Sequence, residues 1–436
     1  MTAIAPPPLD ELDITSESLY DDRGGYPWAD WDRMRAEDPV HWYQRPGYEP
    51  FWSLTRYEDI AWVARNPELY SCRERVAVET PDEVDSWETE RERRGQVYGH
   101  RPDHAPGLGF MDAPMHRQLR QVMYPSFTPK ALAAQELRLS ALAKTYVDDF
   151  VRLLDTNGTA DVAHQLSARL PLAAIFDLLG VPDSDWDTLF GLHQATAAAF
   201  HKDFAHQDGQ DATATFLRAM MELDAYMSEL VRKRMADGGG NGTDMLSRLA
   251  AATVNDEPLA FHDISYQLFN LLQAGNGTTR NAIAGGIKAL LENPDQLRLL
   301  VDHPELVDSA VEEILRWTSV AVVMTRTATQ DTELGGKRIR RGDTVATWFP
   351  AANRDPVAFP DPYRFDITRT PNRHFAFGGF GEHRCIGANL AKLELRVMFR
   401  ALLPLLPRLR LEGESKMLIL RLLMAEYVTL PVSRVR

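Results

Sequence analysis

Apolar residues recur every three to four positions from Ala131 to Leu154, and then in broken pieces to about Leu315. That period predicts a body of amphipathic helices. Pro171, Pro182, the Gly238-Gly239-Gly240 turn and Pro258 punctuate it, and Gly238 to Gly242 reads as a flexible loop. Before this body the pattern is mixed. Trp28 to Glu37 and Tyr57 to Arg65 read as short helices, and Val40 to Tyr43 and Pro50 to Thr55 as alternating strands. Cys72 to Gly109 is long, charged and irregular, with RERR at 91–94 and HRPDHAPG at 100–107, and a connection of this length is usually functional or mobile. Strand patterns return at Ala321 to Ala328, Lys337 to Ile339 and Thr344 to Trp348, and a helix follows Gly387. The expectation is a mainly α fold with minor β, in one unit over 1–436, because no repeat or clean linker divides it.

Composition narrows the class. A net charge of −14 argues against nucleic acid and against an anionic membrane surface. No run of about 18 apolar residues is present, so no membrane span is expected. The first residues do not read as a signal peptide. Two cysteines, Cys72 and Cys385, make no disulfide framework, which fits a reducing cytoplasm.

The densest chemistry lies in Phe375 to Ala391, FAFGGFGEHRCIGANLA. Glycines at 378, 379, 381 and 387 strip side chains from the backbone around Cys385, so a flat, bulky group can approach. The helix starting near Gly387 points N–H groups at the sulfur and favours a thiolate. A lone cysteine is more often a small buried hydrophobe, but a thiolate in a bare glycine-lined pocket suits a metal, heme iron included.

This string closely resembles the heme-binding loop of the cytochrome P450 family, F-G-x-G-x-H-x-C-x-G-x-x-L-A. Gly379, Gly381, His383, Cys385, Gly387, Leu390 and Ala391 fall in register. Gly378 stands where the family usually has Phe, with Phe377 one place earlier. The resemblance extends from about Pro114 to the C-terminus, and more weakly over the first 110 residues. It implies the cytochrome P450 fold, a heme b cofactor ligated by Cys385, and a soluble, bacterial-type monooxygenase. His116 and Arg120 (H-x-x-x-R), Arg326 and His383 match groups that meet the heme propionates. Glu313 and Arg316 (E-x-x-R) match a buried pair that braces the cysteine loop, with Arg364 or a neighbouring backbone group as its third member. Asn353-Arg354-Asp355-Pro356 matches a structural segment leading into that loop.

The stretch Ala274-Gly275-Asn276-Gly277-Thr278-Thr279 matches A-G-x-[D/E]-T of the distal helix, with one departure: Gly277 replaces the acid. Ala274 and Gly275 would leave room for dioxygen, and Thr278 matches the alcohol that assists its activation. Two glycines this close weaken a helix by roughly 1 kcal/mol each. Without the acid, protons must come through water, another side chain or the substrate. Three outcomes stay open: a monooxygenase that inserts one oxygen atom of O2 into a hydrophobic small molecule, a poorly coupled or peroxide-driven oxidase, and a heme protein that binds ligands without turnover. By resemblance the substrate pocket takes the 72–109 loop, the Leu189–Tyr226 helices, Phe269, Asn270, Gln273, the Ala321–Met324 segment with Val322, Val323 and Met324, and the Leu422–Glu426 turn with Leu423 and Met424. The chain carries no flavin or iron–sulfur signature, so a separate ferredoxin with its reductase is the expected electron source. Lys392, Arg396 and Arg400, spaced i, i+4, i+8, form a basic stripe that is either a solvated helix face or a dock for that acidic donor.

Overall fold

The computed structural model describes residues 7–16, 25–45, 47–78, 80, 107–198, 212–238, 242–254, 256–420 and 422–435. Most of the 72–109 loop, the centre of the Gly238–Gly242 loop and part of the Leu189–Tyr226 stretch lie outside them.

The strand-rich part is built from α1 (Trp28–Glu37), β1 (Val40–Tyr43), β2 (Phe51–Leu54), α2 (Tyr57–Arg65) and β3 (Tyr70–Ser71), completed from the far end of the chain by β4 (Val323–Ala328) and β5 (Thr344–Trp348). The sheet order is β1-β2-β5-β4-β3, with β2 and β5 parallel and the other pairs antiparallel. Along β4 burial alternates: Val323 and Thr325 point into the core while Met324 and Arg326 are half-open. That two-residue period puts Met324 and Arg326 on one face.

The helical body contains α3 (Met115–Met123), α4 (Glu136–Asn157), α5 (Arg169–Leu179), α6 (Trp186–Ala198), α7 (Ala212–Ala236), α8 (Phe261–Glu292), α9 (Val307–Thr318) and α10 (Ala388–Leu402). The helix expected over Ala131 to Leu154 is two helices. Thr128 caps a short one, Pro129–Ala133, by accepting from the Ala131 N–H at 3.3 Å. Gln135 N–H then closes a tight turn onto Leu132 O at 2.9 Å before α4 begins. In α4, Leu139, Ala143, Tyr146, Val147, Phe150 and Leu154 repeat at helical spacing and are buried. The helix stops at Gly158, where φ is 75° and the N–H returns to Leu154 O. α8 is continuous over 32 residues despite Gly275 and Gly277. Tertiary burial along most of its length outweighs their poor propensity. A hairpin of β6 (Lys416–Leu420) and β7 (Met424–Thr429) lies beside α8. Asn281 ties the two together: its amide donates to Gly277 O at 2.8 Å and its carbonyl accepts from Tyr427 N–H at 2.8 Å. Among the described residues no helix is long and apolar enough to cross a membrane.

Candidate active site

The loop before α10 is shaped by its glycines. Gly378, Gly379 and Gly381 have φ of 75°, 70° and 88°. A Cβ on Gly379 would lie 2.1 Å from the Phe375 ring, and one on Gly381 would lie 2.1 Å from Ala64 O at the end of α2. Both positions therefore exclude any other residue. Cys385 N–H closes the loop onto Phe377 O at 2.9 Å. The side chain of Cys385 is open in the structure, and enough protein lies around it for burial to act on its titration. Burial pushes its thiol pKa up; the N–H groups of Gly387 and Ala388 and the cations Arg120 and Arg384 pull it down. The net direction is upward, so the helix N-terminus alone does not hold a thiolate here. A cation on the sulfur would. Phe377 packs toward α10, with Lys392 Nζ 5.6 Å from its ring.

The brace is fully formed. Glu313 and Arg316 on α9 are both 0% exposed and pair at 2.7 Å. Arg316 uses all five of its donors. Two go to Glu313 (2.8 and 2.7 Å), and three go to the carbonyls of Asn353, Pro362 and Arg364 (2.8, 2.9 and 3.2 Å). Arg364 thus contributes its backbone only. The additional charged member is Arg369, whose Nε lies 3.3 Å from Glu313. Glu313 also accepts from Asp366 N–H and the Asn372 amide. Asn353 carries the brace onward, accepting from Phe375 N–H at 2.6 Å at the head of the cysteine loop. Arg354 donates to the end carbonyls of α9, Arg316 O and Trp317 O, between the Trp28 and Trp317 rings. Burial, then the neighbouring Arg316, pushes its pKa down to about 9.

A second set gathers beside the cysteine loop. The His116 and His383 rings lie 4.2 Å apart, and Arg120 donates to Arg384 O at 2.7 Å. His116 Nδ1 is 3.1 Å from Glu382, a partner with no counterpart in the sequence reading. Burial, then Arg326 and His116, pushes His383 down to about 3. Burial also lowers His116 and both guanidiniums. Among the described residues Arg120 and Arg326 have no carboxylate in ion-pair range. Two guanidiniums with no carboxylate in ion-pair range among the described residues, beside an open thiol, suit a group bearing carboxylates and a metal, so the residues present fit heme.

On α8, Ala274 and Thr278 are open, one turn apart on one face, and Thr278 Oγ1 donates to Ala274 O at 3.3 Å. The neighbour of Gly277 is Met424: a Cβ there would lie 3.0 Å from its Cε and 3.1 Å from its Sδ. An apolar thioether thus fills the flank where the P450 pattern places an acid. On the opposite face Asn276 is fully buried against His193 of α6, with Nδ2 3.2 Å from Nδ1. Arg280 and Glu426 form a buried ion pair nearby. Burial, then Arg280, pushes His193 down to about 4.

Several expectations need correction. Val322 and Val323 are 0% exposed in the core under the sheet, so they do not line an open pocket. Met324, Leu423 and Met424 remain half-open, and Phe269 is largely buried. Asn270 is occupied with Tyr266 O and Gln273 with Met220 Sδ. Lys392, Arg396 and Arg400 share a face but are paired with Glu312, Asp308 and Glu136 at 2.6, 3.3 and 3.5 Å. The stripe ties α10 to α9 and α4, and its field is largely cancelled. Arg369, Glu382, Asn281 and His193 were missed, because each acts through a contact distant in sequence.

Comparison with known proteins agrees with this geometry. The family model described as Cytochrome P450 matches residues 300–406. A linalool 8-monooxygenase of Pseudomonas putida is 32% identical over 415 residues, 94% of this chain and 95% of the relative. A methyl-branched lipid omega-hydroxylase of Mycobacterium tuberculosis is 33% identical over 375 residues, 84% of this chain and 81% of the relative. Among solved structures, a Mycobacterium marinum cytochrome P450 in complex with pseudoionone matches with a TM-score of 0.82 and 28% identity, covering 99% of this chain and 100% of that one.

Proposed function

The chain belongs to the cytochrome P450 family and is a heme b monooxygenase; on that premise we propose that Cys385 is the iron ligand and that the substrate is a hydrophobic small organic molecule. The observation that carries the ligand assignment is the open Cys385 side chain, with the Gly387 and Ala388 N–H groups directed at its sulfur. When bound, the heme supplies dioxygen reduction and oxygen-atom insertion. His116, Arg120, Arg326 and His383 would hold its two carboxylates, giving Arg120 and Arg326 the ion-pair partners that the described residues do not supply. Glu313 and Arg316 hold the cysteine loop in place through Asn353. Ala274 and Gly275 keep the facing wall small, and the Thr278 hydroxyl holds a proton at Oγ1, released from its weak bond to Ala274 O.

Met324, Leu423 and Met424 form the half-open apolar edge that receives substrate, with Phe269, Asn270 and Gln273 behind it. Relatives named for linalool, methyl-branched lipid and steroid, and a neighbour holding pseudoionone, support a terpenoid or lipid-like substrate. Electrons come from a separate ferredoxin with its reductase. The Met424 thioether beside Gly277 keeps an acid and its water from that flank, which favours weak coupling, with part of the reducing equivalents lost as peroxide.

The carbon monoxide difference spectrum of the reduced protein tests the ligand. A strongly red-shifted Soret band reports thiolate ligation, and Cys385→Ser abolishes it. A band at the shorter wavelength of thiol or imidazole ligation in the intact wild type refutes the assignment. Reductant consumption, peroxide release and product, measured with surrogate redox partners and a terpenoid and lipid panel, test coupling and substrate class.

A further inference from the structure

Apart from the brace, a second set of side chains grips the cysteine loop: Glu312 on α9, His374 at the head of the loop and Lys392 on α10. We propose that these three residues form a positioning triad for Cys385, in which neutral His374 holds a loop N–H and releases it on taking up a proton. The inference rests on the reading of Cys385 as the iron ligand.

The hydrogen bonds define the state of the ring. The Ala376 N–H donates to His374 Nδ1 at 3.2 Å. A peptide N–H can only donate, so Nδ1 is the bare nitrogen and the ring proton is on Nε2. Nε2 faces Glu312 Oε2 at 3.1 Å. Lys392 Nζ spans both oxygens of that carboxylate, at 2.6 and 2.8 Å. The His374 side chain is 3% exposed, so the ring is committed to these contacts. Phe377 is caught between the other members: its ring lies 6.0 Å from the His374 ring and 5.6 Å from Lys392 Nζ. Its carbonyl accepts the Cys385 N–H at 2.9 Å. The grip on residues 376 and 377 therefore reaches the cysteine through a single hydrogen bond. It is separate from the brace, which holds the preceding N–H, that of Phe375, through Asn353.

A second ring proton has one place to go, Nδ1, the nitrogen that accepts from Ala376. Donor would then face donor and the loop bond would be lost. The charged groups that act on the ring are Glu312 and Arg316 from α9 and Lys392 from α10. Burial lowers the His374 pKa and, with Lys392 and Arg316 on the same side, outweighs the upward pull of Glu312. The bond is thus kept at neutral pH and lost as pH falls below the ordinary histidine range.

The test follows the ratio of thiolate to non-thiolate carbon monoxide bands of the reduced holoenzyme from about pH 8 to about pH 5. The wild type should lose the thiolate band toward low pH. His374→Leu, with no acceptor, should lower the ratio roughly tenfold at neutral pH, the weight of one lost hydrogen bond. His374→Asn should restore the neutral-pH ratio, because an Asn oxygen accepts from the N–H two residues on, and should flatten the profile. Lys392→Gln should move the wild-type midpoint up and Glu312→Gln should move it down, by about one pH unit each. A plain tie between α9 and α10 would suffer equally from both. If His374→Leu does not load heme, the two midpoints decide. A wild type without the thiolate band at neutral pH refutes the ligand assignment, and the triad with it. With that band present, midpoints that shift together or not at all, or a His374→Asn profile that follows the wild type, overturn the triad alone.

Discussion

Glu313→Gln is the substitution that most directly tests how the cysteine loop is held. The change keeps the shape and one acceptor oxygen but removes the charge. Three guanidiniums stand around this carboxylate: Arg316 and Arg369 in direct contact, and Arg354 close enough for Glu313 to act on its titration. Stripping one partner from a buried ion pair costs about 3–5 kcal/mol, and here two guanidiniums lose their counter-ion together. Arg316→Lys should cost less, about 2–3 kcal/mol. It keeps a cation, while Lys offers three donors for the five acceptors that Arg316 now satisfies, and each lost charged hydrogen bond is worth roughly 1.5 kcal/mol or more. The disturbance should travel, because Arg316 bonds to Asn353 and Asn353 to Phe375. Denaturant unfolding followed by tryptophan fluorescence measures the stability, and the reduced carbon monoxide spectrum reads the cysteine loop. Glu313→Gln is expected to be the more damaging of the two and to convert part of the spectrum to the non-thiolate form. A Glu313→Gln protein within about 1 kcal/mol of wild type, or more stable than Arg316→Lys, would show that the carboxylate is not what balances this cluster.

The remaining predictions concern α8 and two buried titratable groups. Gly277→Ala gains about 1 kcal/mol of helix propensity but sets a Cβ 3.0 Å from the flexible tip of Met424. It should be near neutral alone and stabilising in a Met424→Ala background, and Gly277→Glu should raise coupling only in that background; additive single and double variants would discard the contact. Glu394, fully enclosed on α10 with no partner for its Oε2, has its pKa raised well above the usual carboxylate value by burial. The folded state keeps the proton that the unfolded state loses, so stability falls as pH rises above the unfolded value, by up to about 1.4 kcal/mol per unit. Glu394→Gln should match wild type near pH 4 and exceed it increasingly toward pH 8; a constant difference across that range contradicts the assignment. His193 is pushed the other way, down to about 4. Its unfolded form takes up a proton below about 6.5 while the folded form stays neutral, so stability should drop by about 3 kcal/mol as pH falls from 6.5 to 4. His193→Asn should reduce that drop in matched denaturation curves, and an unchanged profile counts against it.

What the sequence made legible and what it hid divide along a physical line. The glycines of the cysteine loop were readable because their need is local: positive φ and a close approach leave no alternative residue at 379 and 381. Glu313 and Arg316 were readable as a pair because a helix puts i and i+3 on one face. The partners of that pair were not, because Arg369 and Asn372 reach Glu313 from more than fifty residues away. The basic stripe shows the same limit from the other side. Its spacing on α10 is real, but helical spacing says nothing about what faces the helix, and Glu312, Asp308 and Glu136 come from two other helices to cancel it. Gly277 is the sharpest case. As a letter it marks a missing acid; in the fold it is the place where Met424, arriving from the C-terminal hairpin, rests against the bare backbone of α8. The loss of the acid and the presence of the thioether are therefore one structural feature. A change at 277 can be interpreted only together with 424.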